Sequence, residues 1–278
     1  MNDVIDAAAP PVVAGAAVRD TVGRLAETPA GDAILNAIGL WKSYGADVTV
    51  LRDVELTVRE GESVALIGAN GSGKSTLLKC LVGLLAIDRG EIDLFGCRVR
   101  RDGRGAALRA IRRQTGFVFQ NHGLVRRLCA LSNVVHGRLG DGGSWLAVHH
   151  AIAPAAIRRE AFAALDAVGL ADKAMARADE LSGGQAQRVA IARALVRKPR
   201  LLIADEPAAS LDPAAGHEVM HTFARIAASG TSTLLFTTHD MEHALHFATR
   251  IVGLRQGVVA LDAPAATLRR SDLEHLFA

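Results

Sequence analysis

Residues 68–75 read Gly-Ala-Asn-Gly-Ser-Gly-Lys-Ser and satisfy the spacing G-x-x-x-x-G-K-S/T in full. Glycines at that spacing let successive backbone N–H groups turn toward one point and wrap the oxygens of a polyphosphate. Gly68, Gly71 and Gly73 supply that freedom, and Ala69, Asn70, Ser72 and Thr76 complete the loop. Lys74 is expected to reach the β- and γ-phosphates, and the Ser75 hydroxyl to ligate Mg²⁺. The chemistry implied is binding of a nucleoside triphosphate with Mg²⁺ and reaction at its terminal phosphoryl group.

Asp205 and Glu206 close the apolar run Leu201-Leu202-Ile203-Ala204. A carboxylate at the end of a buried strand needs a partner. For Asp205 the expected partner is Mg²⁺, held directly or through water, which leaves Glu206 to polarise the attacking water as a general base. Gln120 and His239 sit at the ends of two further apolar runs. Gathered around one nucleotide, both can contact the γ-phosphate, Mg²⁺ or the attacking water. His243 and His246 follow His239 at helical spacing and read as solvated or packing side chains rather than metal ligands. Tyr44, the single tyrosine of the chain, can stack on adenine or simply anchor its loop.

A second anion site is written more than a hundred residues later, in Leu-Ser-Gly-Gly-Gln-Ala-Gln-Arg (181–188). Ser182 and Gln185 have the spacing of a capping box at a helix start. Gly183 and Gly184 keep the first turn bare, so that an anion can approach its free N–H groups.

These residues need elements to hold them. The run 63–68 is a short apolar strand leading into the glycine loop, and Leu77, Leu78, Leu81 and Leu84 continue it at helical spacing. Strands are expected over 33–41, 48–58, 90–96, 115–120, 200–207 and 231–240, and a helix over 105–114. Residues 121 to about 180 are dominated by helical patterns, with a Gly-rich break at 140–143, and the capped helix is expected to run from Ser182 to about Arg197. The fold class is α/β: a P-loop core with a mostly parallel sheet, N-terminal antiparallel strands and an inserted helical subdomain at about 121–198. Residues 1–32 read as a mostly disordered Ala/Pro-rich extension, ahead of one domain over 33–278.

Composition bounds the rest. Of 278 residues half are hydrophobic and only 4% aromatic, so the core volume comes mainly from Ala, Val, Leu and Ile. A net charge of +3 is mild and scattered outside the Arg-rich piece 98–104, and no nucleic-acid partner is expected. Cys80, Cys97 and Cys129 are widely spaced and fit reduced thiols rather than a zinc site or a disulfide framework. No apolar run of about 18 residues is present to span a bilayer, and the acidic start argues against a secretory signal.

The order of the loop at 68–75, Gln120, LSGGQ (181–185), LLIADEP (201–207), ASLD (209–212) and His239 resembles the nucleotide-binding subunit of ATP-binding cassette (ABC) transporters over roughly residues 34–265. In that family two such domains sit head to tail, each ATP lying between the phosphate loop of one and the signature helix of the other. The resemblance implies that Ser182 and Gly184 touch the γ-phosphate in trans, that Asp212 links the two composite sites, that Glu206 is the base and His239 the γ-phosphate switch. It implies also that Gln120 couples nucleotide to the helical lobe. The implied partners are a second copy of this chain, transmembrane permease subunits and a periplasmic solute-binding protein, at the cytoplasmic face of the inner membrane.

The segments 133–145, 168–195 and 204–213 are similar to phosphonate-import ATP-binding subunits. Three departures leave phosphite, another small oxyanion or an amino acid open as cargo. Asn121 and His122 stand where that family has Gln and then an aromatic, Thr238-His239-Asp240 replaces Leu-His-Gln, and Ala186 interrupts a run of glutamines. A soluble cassette ATPase acting on ribosomes or DNA would carry two cassettes or a long coiled-coil insertion. A non-catalytic regulator would lack one of Lys74, Asp205, Glu206 or His239, and all four are present.

Overall fold

The computed structural model describes residues 31–277 apart from 46–47, 101–104, 141–143 and 231. The extension expected over 1–32 therefore lies almost wholly outside the described residues, as do positions 101–104 of the basic piece. The arginines of that piece that are described, Arg98 and Arg100, pair with Glu91 at 2.9 and 2.7 Å.

In chain order the first elements are β1 (Ala33–Tyr44), β2 (Val48–Arg59), β3 (Ser63–Ile67), α1 (Lys74–Leu81), β4 (Arg89–Leu94), β5 (Cys97–Val99), α2 (Ala106–Gln114) and β6 (Thr115–Val118). Helices α3 (Ala130–Val135), α4 (Ala155–Ala167) and α5 (Gly183–Leu195) follow. The chain then returns to the sheet with β7 (Leu201–Ala204), α6 (Pro213–Ala228), β8 (Thr233–Thr238), α7 (Met241–Phe247), β9 (Arg250–Arg255), β10 (Val258–Pro264) and α8 (Arg270–Leu273).

Two sheets result. Strands β2-β1-β4-β5 form an antiparallel sheet of their own, rather than an extension of the parallel one. The second has the order β10-β9-β3-β8-β7-β6, parallel from β9 to β6 with β10 returning antiparallel. The separation follows from alternation along buried strands. Val64 and Leu66 of β3 join the core shared with Leu35, Leu40 and Leu51 of the antiparallel sheet, whereas Ala65 and Ile67 join Val189, Phe223 and Phe236 on the other face. Each parallel strand thus needs a covering layer on both sides. The antiparallel sheet supplies one with α1, and the helices α5–α7 supply the other.

Expected boundaries shift where the backbone is caught. α1 stops at Leu81 because Gly83 takes φ +64° and the Leu84 N–H donates to the Lys79 carbonyl at 2.8 Å, a Schellman end that leaves Leu84 exposed. The helix begun at Ala130 tightens into a 3₁₀ turn at His136–Arg138, where Gly137 abuts α5 so closely that a Cβ would lie 2.3 Å from the Arg193 carbonyl. The strands end at Val118, Ala204 and Thr238, so Gln120, Asp205, Glu206 and His239 all stand on the first residues beyond strand ends.

The three cysteines are free thiols, and Cys129 caps α3 by accepting the Ser132 N–H on its sulfur. His243 and His246 pack, together with His217 and His221 of α6, around Phe247, at ring-centroid separations of 4.9 to 5.8 Å from it. Among the described residues no three of His, Cys, Asp or Glu are disposed to hold a metal ion. Burial first, then the neighbouring imidazoles, hold His221 below its ordinary 6.5. His243 is lowered too, by burial and by His217, His239 and His246, with Asp240 partly opposing. With both pKa values depressed, the unfolded chain takes up these protons before the folded one does. Stability is therefore lost as pH falls from the ordinary histidine value. Between about pH 7.5 and about pH 5.5, a window set by the histidine pKa, the melting temperature should drop, and a His221→Gln, His243→Gln double variant should show a visibly shallower drop in calorimetry.

Candidate nucleotide-binding site

The loop after β3 is built by close approach. Gly68 has φ +146° and its missing Cβ would lie 2.1 Å from the Leu254 carbonyl oxygen of β9. Gly73 (φ +108°) rests in the same way on Val50 and Leu51 of β2. Between them Asn70 and Gly71 form the exposed tip, and nothing lies within 4 Å of where a Gly71 Cβ would be. The Ala69 N–H donates to the Leu276 carbonyl at 3.2 Å, and the Gly257 N–H to the Ser72 carbonyl at 3.2 Å, so the loop is backed by the last part of the chain.

Lys74 opens α1 with its ammonium turned into the loop, donating to the carbonyls of Gly68 at 2.8 Å and Ala69 at 3.1 Å. Burial lowers its pKa, and the charges of Glu206 and Asp205 oppose that shift. A cation held in this way against loop carbonyls, 3.9 Å from the Glu206 carboxylate, is well placed to exchange those contacts for phosphate oxygens.

Asp205 and Glu206, the two residues that follow β7, have different partners. The Asp205 Oδ1 accepts hydrogen bonds from Ser75 Oγ at 2.8 Å and Thr237 Oγ1 at 2.9 Å, which ties the phosphate loop to β7 and β8. Glu206 sits in left-handed backbone (φ +46°), held there as its N–H donates to Thr237 Oγ1 at 2.7 Å. Such strain in a non-glycine residue costs on the order of 1 kcal/mol and is found mainly where a side chain must be aimed. The aim is visible: Gln120 Nε2 donates to Glu206 Oε2 at 3.2 Å, and His239 Nδ1 lies 3.9 Å from the same oxygen. Ends of three strands thus converge on one carboxylate.

Ser182 caps α5 as its sequence predicts. Its Oγ accepts the Gln185 N–H at 3.3 Å, and Gln185 Oε1 accepts the Ser182 N–H at 3.0 Å. Ser182 and Gly183 are exposed, whereas Gly184 is buried where a Cβ would meet Ala215 at 3.1 Å. Asp212 caps α6, its Oδ1 accepting the Ala215 N–H at 2.9 Å. Among the described residues no hydrogen bond or ion pair joins 182–185 to the loop at 68–76.

Comparison with known proteins gives this arrangement its family. Residues 51–209 match the model described as ABC transporter. The chain belongs to the ABC transporter family. It is 47% identical over 243 residues to the phosphate-import ATP-binding protein PhnC of Mycolicibacterium smegmatis, covering 87% of this chain and 91% of that one. It is 44% identical over 247 residues to the phosphonates import ATP-binding protein PhnC of Nocardia farcinica, covering 88% and 91%. Among solved structures it resembles the dimeric post-hydrolysis state of the ATP-binding cassette MJ0796 bound to ADP and Pi, with a TM-score of 0.71 and 30% identity, over 83% of this chain and 98% of that one. This ABC chain is an ATP-hydrolysing transporter subunit, and among its described residues no helix is long and apolar enough to cross a membrane.

Two features of the cassette fit a bound nucleotide and Mg²⁺. Ser72 Oγ is buried in the cradle with no hydrogen-bond partner among the described residues, an acceptor and donor free to meet a ligand. Ser75 and Asp205, hydrogen-bonded to each other at 2.8 Å, offer hard oxygen donors of the kind Mg²⁺ takes, and Gln120 is hydrogen-bonded one residue away, at Glu206. Tyr44 is half-exposed at the end of β1, with the Lys42 ammonium 5.8 Å from its ring, at the hairpin end whose Val50 and Leu51 back Gly73.

Four contributors escape a reading of the sequence. Thr237 holds both acidic residues, and its place two positions before His239 is the one signal that marks it. Leu254 and Leu276 shape the phosphate loop from far along the chain, the latter beyond the span of the sequence resemblance. His122 reaches Gln187, which no local pattern announces.

Proposed function

We propose that the chain is the ATP-driven subunit of an importer for phosphonate, working as a homodimer at the cytoplasmic face of the inner membrane. It would dock there on permease subunits that receive cargo from a periplasmic solute-binding protein. The observation that carries the dimer is the separation just described: a capped, exposed helix start at 182–185 and a complete phosphate cradle at 68–76, with no described bond between them. Two copies placed head to tail bring each helix start to the other copy's cradle. The cargo rests on the relatives named for phosphate and phosphonates import.

In this reading Tyr44 stacks on adenine while the N–H groups of residues 68–76 and the Lys74 ammonium bind the phosphates. Ser75 and Asp205 would hold Mg²⁺, with Gln120 beside them, and the ion, when bound, neutralises charge on the phosphate oxygens. Glu206, aimed by Thr237 and Gln120, takes the proton of the attacking water, and His239 holds the γ-phosphate. Ser182, Gly183, Gly184 and Gln185 close on the partner's γ-phosphate, and Asp212, by fixing the start of α6 against Gly184, carries the state of one site to the other. Loss of the γ-phosphate removes the ligand that both copies share, so the dimer opens and the permease changes its access.

The test is growth of a strain lacking this subunit with phosphonate, phosphite or phosphate as sole phosphorus source. Growth lost on phosphonate alone, restored by the wild-type chain and not by Lys74→Ala, is the expected result. Loss on phosphate alone would assign the cargo carried by the mycobacterial relative's name instead, and growth unimpaired on all three would remove phosphorus oxyanions as cargo.

A further inference from the structure

The segment that follows β6 leaves the core at Gln120, and its described side-chain hydrogen bonds beyond that point run to the helical lobe. His122 Nδ1 is hydrogen-bonded to Gln187 Oε1 on α5. The backbone carbonyls of His122 and Gly123 each accept from the Arg193 guanidinium of the same helix, both at 2.6 Å. Farther on, Asn133 of α3 grips the segment, accepting the Val125 N–H at 2.7 Å and donating to the carbonyls of Val125, Leu128 and Cys129. At its other end the same segment is tied to the core through the Gln120 to Glu206 hydrogen bond.

The Gln187 end of the first link is unusual. The side chain is fully buried, and among the described residues its Nε2 has no hydrogen-bond partner, so the bond to His122 is its one described side-chain hydrogen bond. A buried amide with half its capacity unmet is poorly suited to stabilising a core. It is well suited to a helix that must be steered by one specific contact. Gln187 lies on the turn after Gln185, whose side chain closes the cap at Ser182. A displacement of residues 120–123 is therefore delivered to the helix whose first turn faces the second nucleotide.

We propose that His122 is a positioning residue that couples the two ATP sites served by one chain, transmitting the placement of Gln120 at its own nucleotide to Ser182 and Gly184 at the partner's. The coupling is mechanical: imidazole to amide to helix, with Arg193 keeping the backbone at His122 and Gly123 from slipping along α5. It rests on the head-to-tail reading given above. His122 touches no reacting atom, so its loss spares nucleotide binding at the cradle and impairs the cooperation between sites.

A double-mutant cycle on the full-length chain tests this. His122→Ala should lower kcat for ATP hydrolysis by roughly five- to tenfold and flatten the sigmoidal dependence on ATP, with KM changed by less than about twofold. Gln187→Leu, which fills the buried volume without the amide, should do the same, and the double variant should be no worse than either single one. His122→Gln, still able to reach Gln187, should recover most of the rate and the sigmoidal shape. Each variant is also placed on a Glu206→Gln background and sized with ATP present. A Glu206→Gln chain that forms the ATP dimer while His122→Ala keeps wild-type kcat and cooperativity would overturn the coupling role alone. So would losses that multiply in the double variant. Absence of any ATP dimer on the Glu206→Gln background would overturn the head-to-tail reading and this inference with it.

Discussion

A Glu206→Gln chain should bind ATP and lose steady-state hydrolysis by at least about a hundredfold, the usual range for removing a positioned general base. The amide keeps the volume and the hydrogen-bonding reach of the carboxylate, so the contacts to Gln120 and the left-handed backbone set by Thr237 survive. What disappears is the proton acceptor. The Lys74 ammonium loses a carboxylate 3.9 Å away but keeps its loop carbonyls and gains phosphate oxygens when ATP binds. Binding should then be equal or tighter, and ATP should accumulate in a dimer that elutes early on sizing. Phosphate release at the wild-type rate would take the catalytic role from Glu206 and direct attention to His239.

The second large effect is steric. Gly68→Ala places a methyl 2.1 Å from the Leu254 carbonyl oxygen, at a φ of +146° that residues with a Cβ rarely adopt. Neither side can give easily, because Leu254 belongs to β9, which is paired to β3 itself. The loop must therefore move, at a cost of about 2–4 kcal/mol, the range of strain and overpacking combined. Since the cradle works only when its N–H groups converge, ATP should no longer raise the melting temperature of this variant. Gly71→Ala is the matched control. Its φ of +81° carries strain, but nothing lies within 4 Å, and it should cost only about 1 kcal/mol. A Gly68→Ala chain that ATP still protects against thermal unfolding would show the close approach to Leu254 to be dispensable.

What could be read in the sequence is what depends on neighbours in sequence. The phosphate loop and the Ser182–Gln185 capping box are local devices, and both stand in the structure as their spacing predicts. The apolar runs of β3, β7 and β8 are legible because parallel strands buried on both faces carry no polar alternation. The N-terminal antiparallel strands are legible as such, but their pairing with β4 is not, because β1 meets β4 across about fifty residues and nothing local says which sheet a strand joins. In the site, Gln120, Glu206 and His239 were found as residues at strand ends, and their convergence follows from the strand order. Thr237 was missed because its hydroxyl serves residues more than thirty positions away. Leu276 was missed because it acts through a backbone carbonyl, which carries no side-chain signature.

The place of β3 in its sheet has a consequence for synthesis. Its two neighbours are β8 and β9, which end at Thr238 and Arg255, although β3 itself ends at Ile67. On a ribosome adding roughly 5–20 residues per second, β3 waits about ten to forty seconds before both of its edges can be paired. Throughout that interval a largely apolar strand with open edges is exposed to other nascent chains, a hazard for aggregation. Competence to bind ATP also arrives late, since the carbonyl of Leu254 that shapes Gly68 is translated in the same final stretch. Nucleotide therefore cannot serve as an early folding ligand for this chain, and its yield in a cell should respond to chaperone supply more than to ATP.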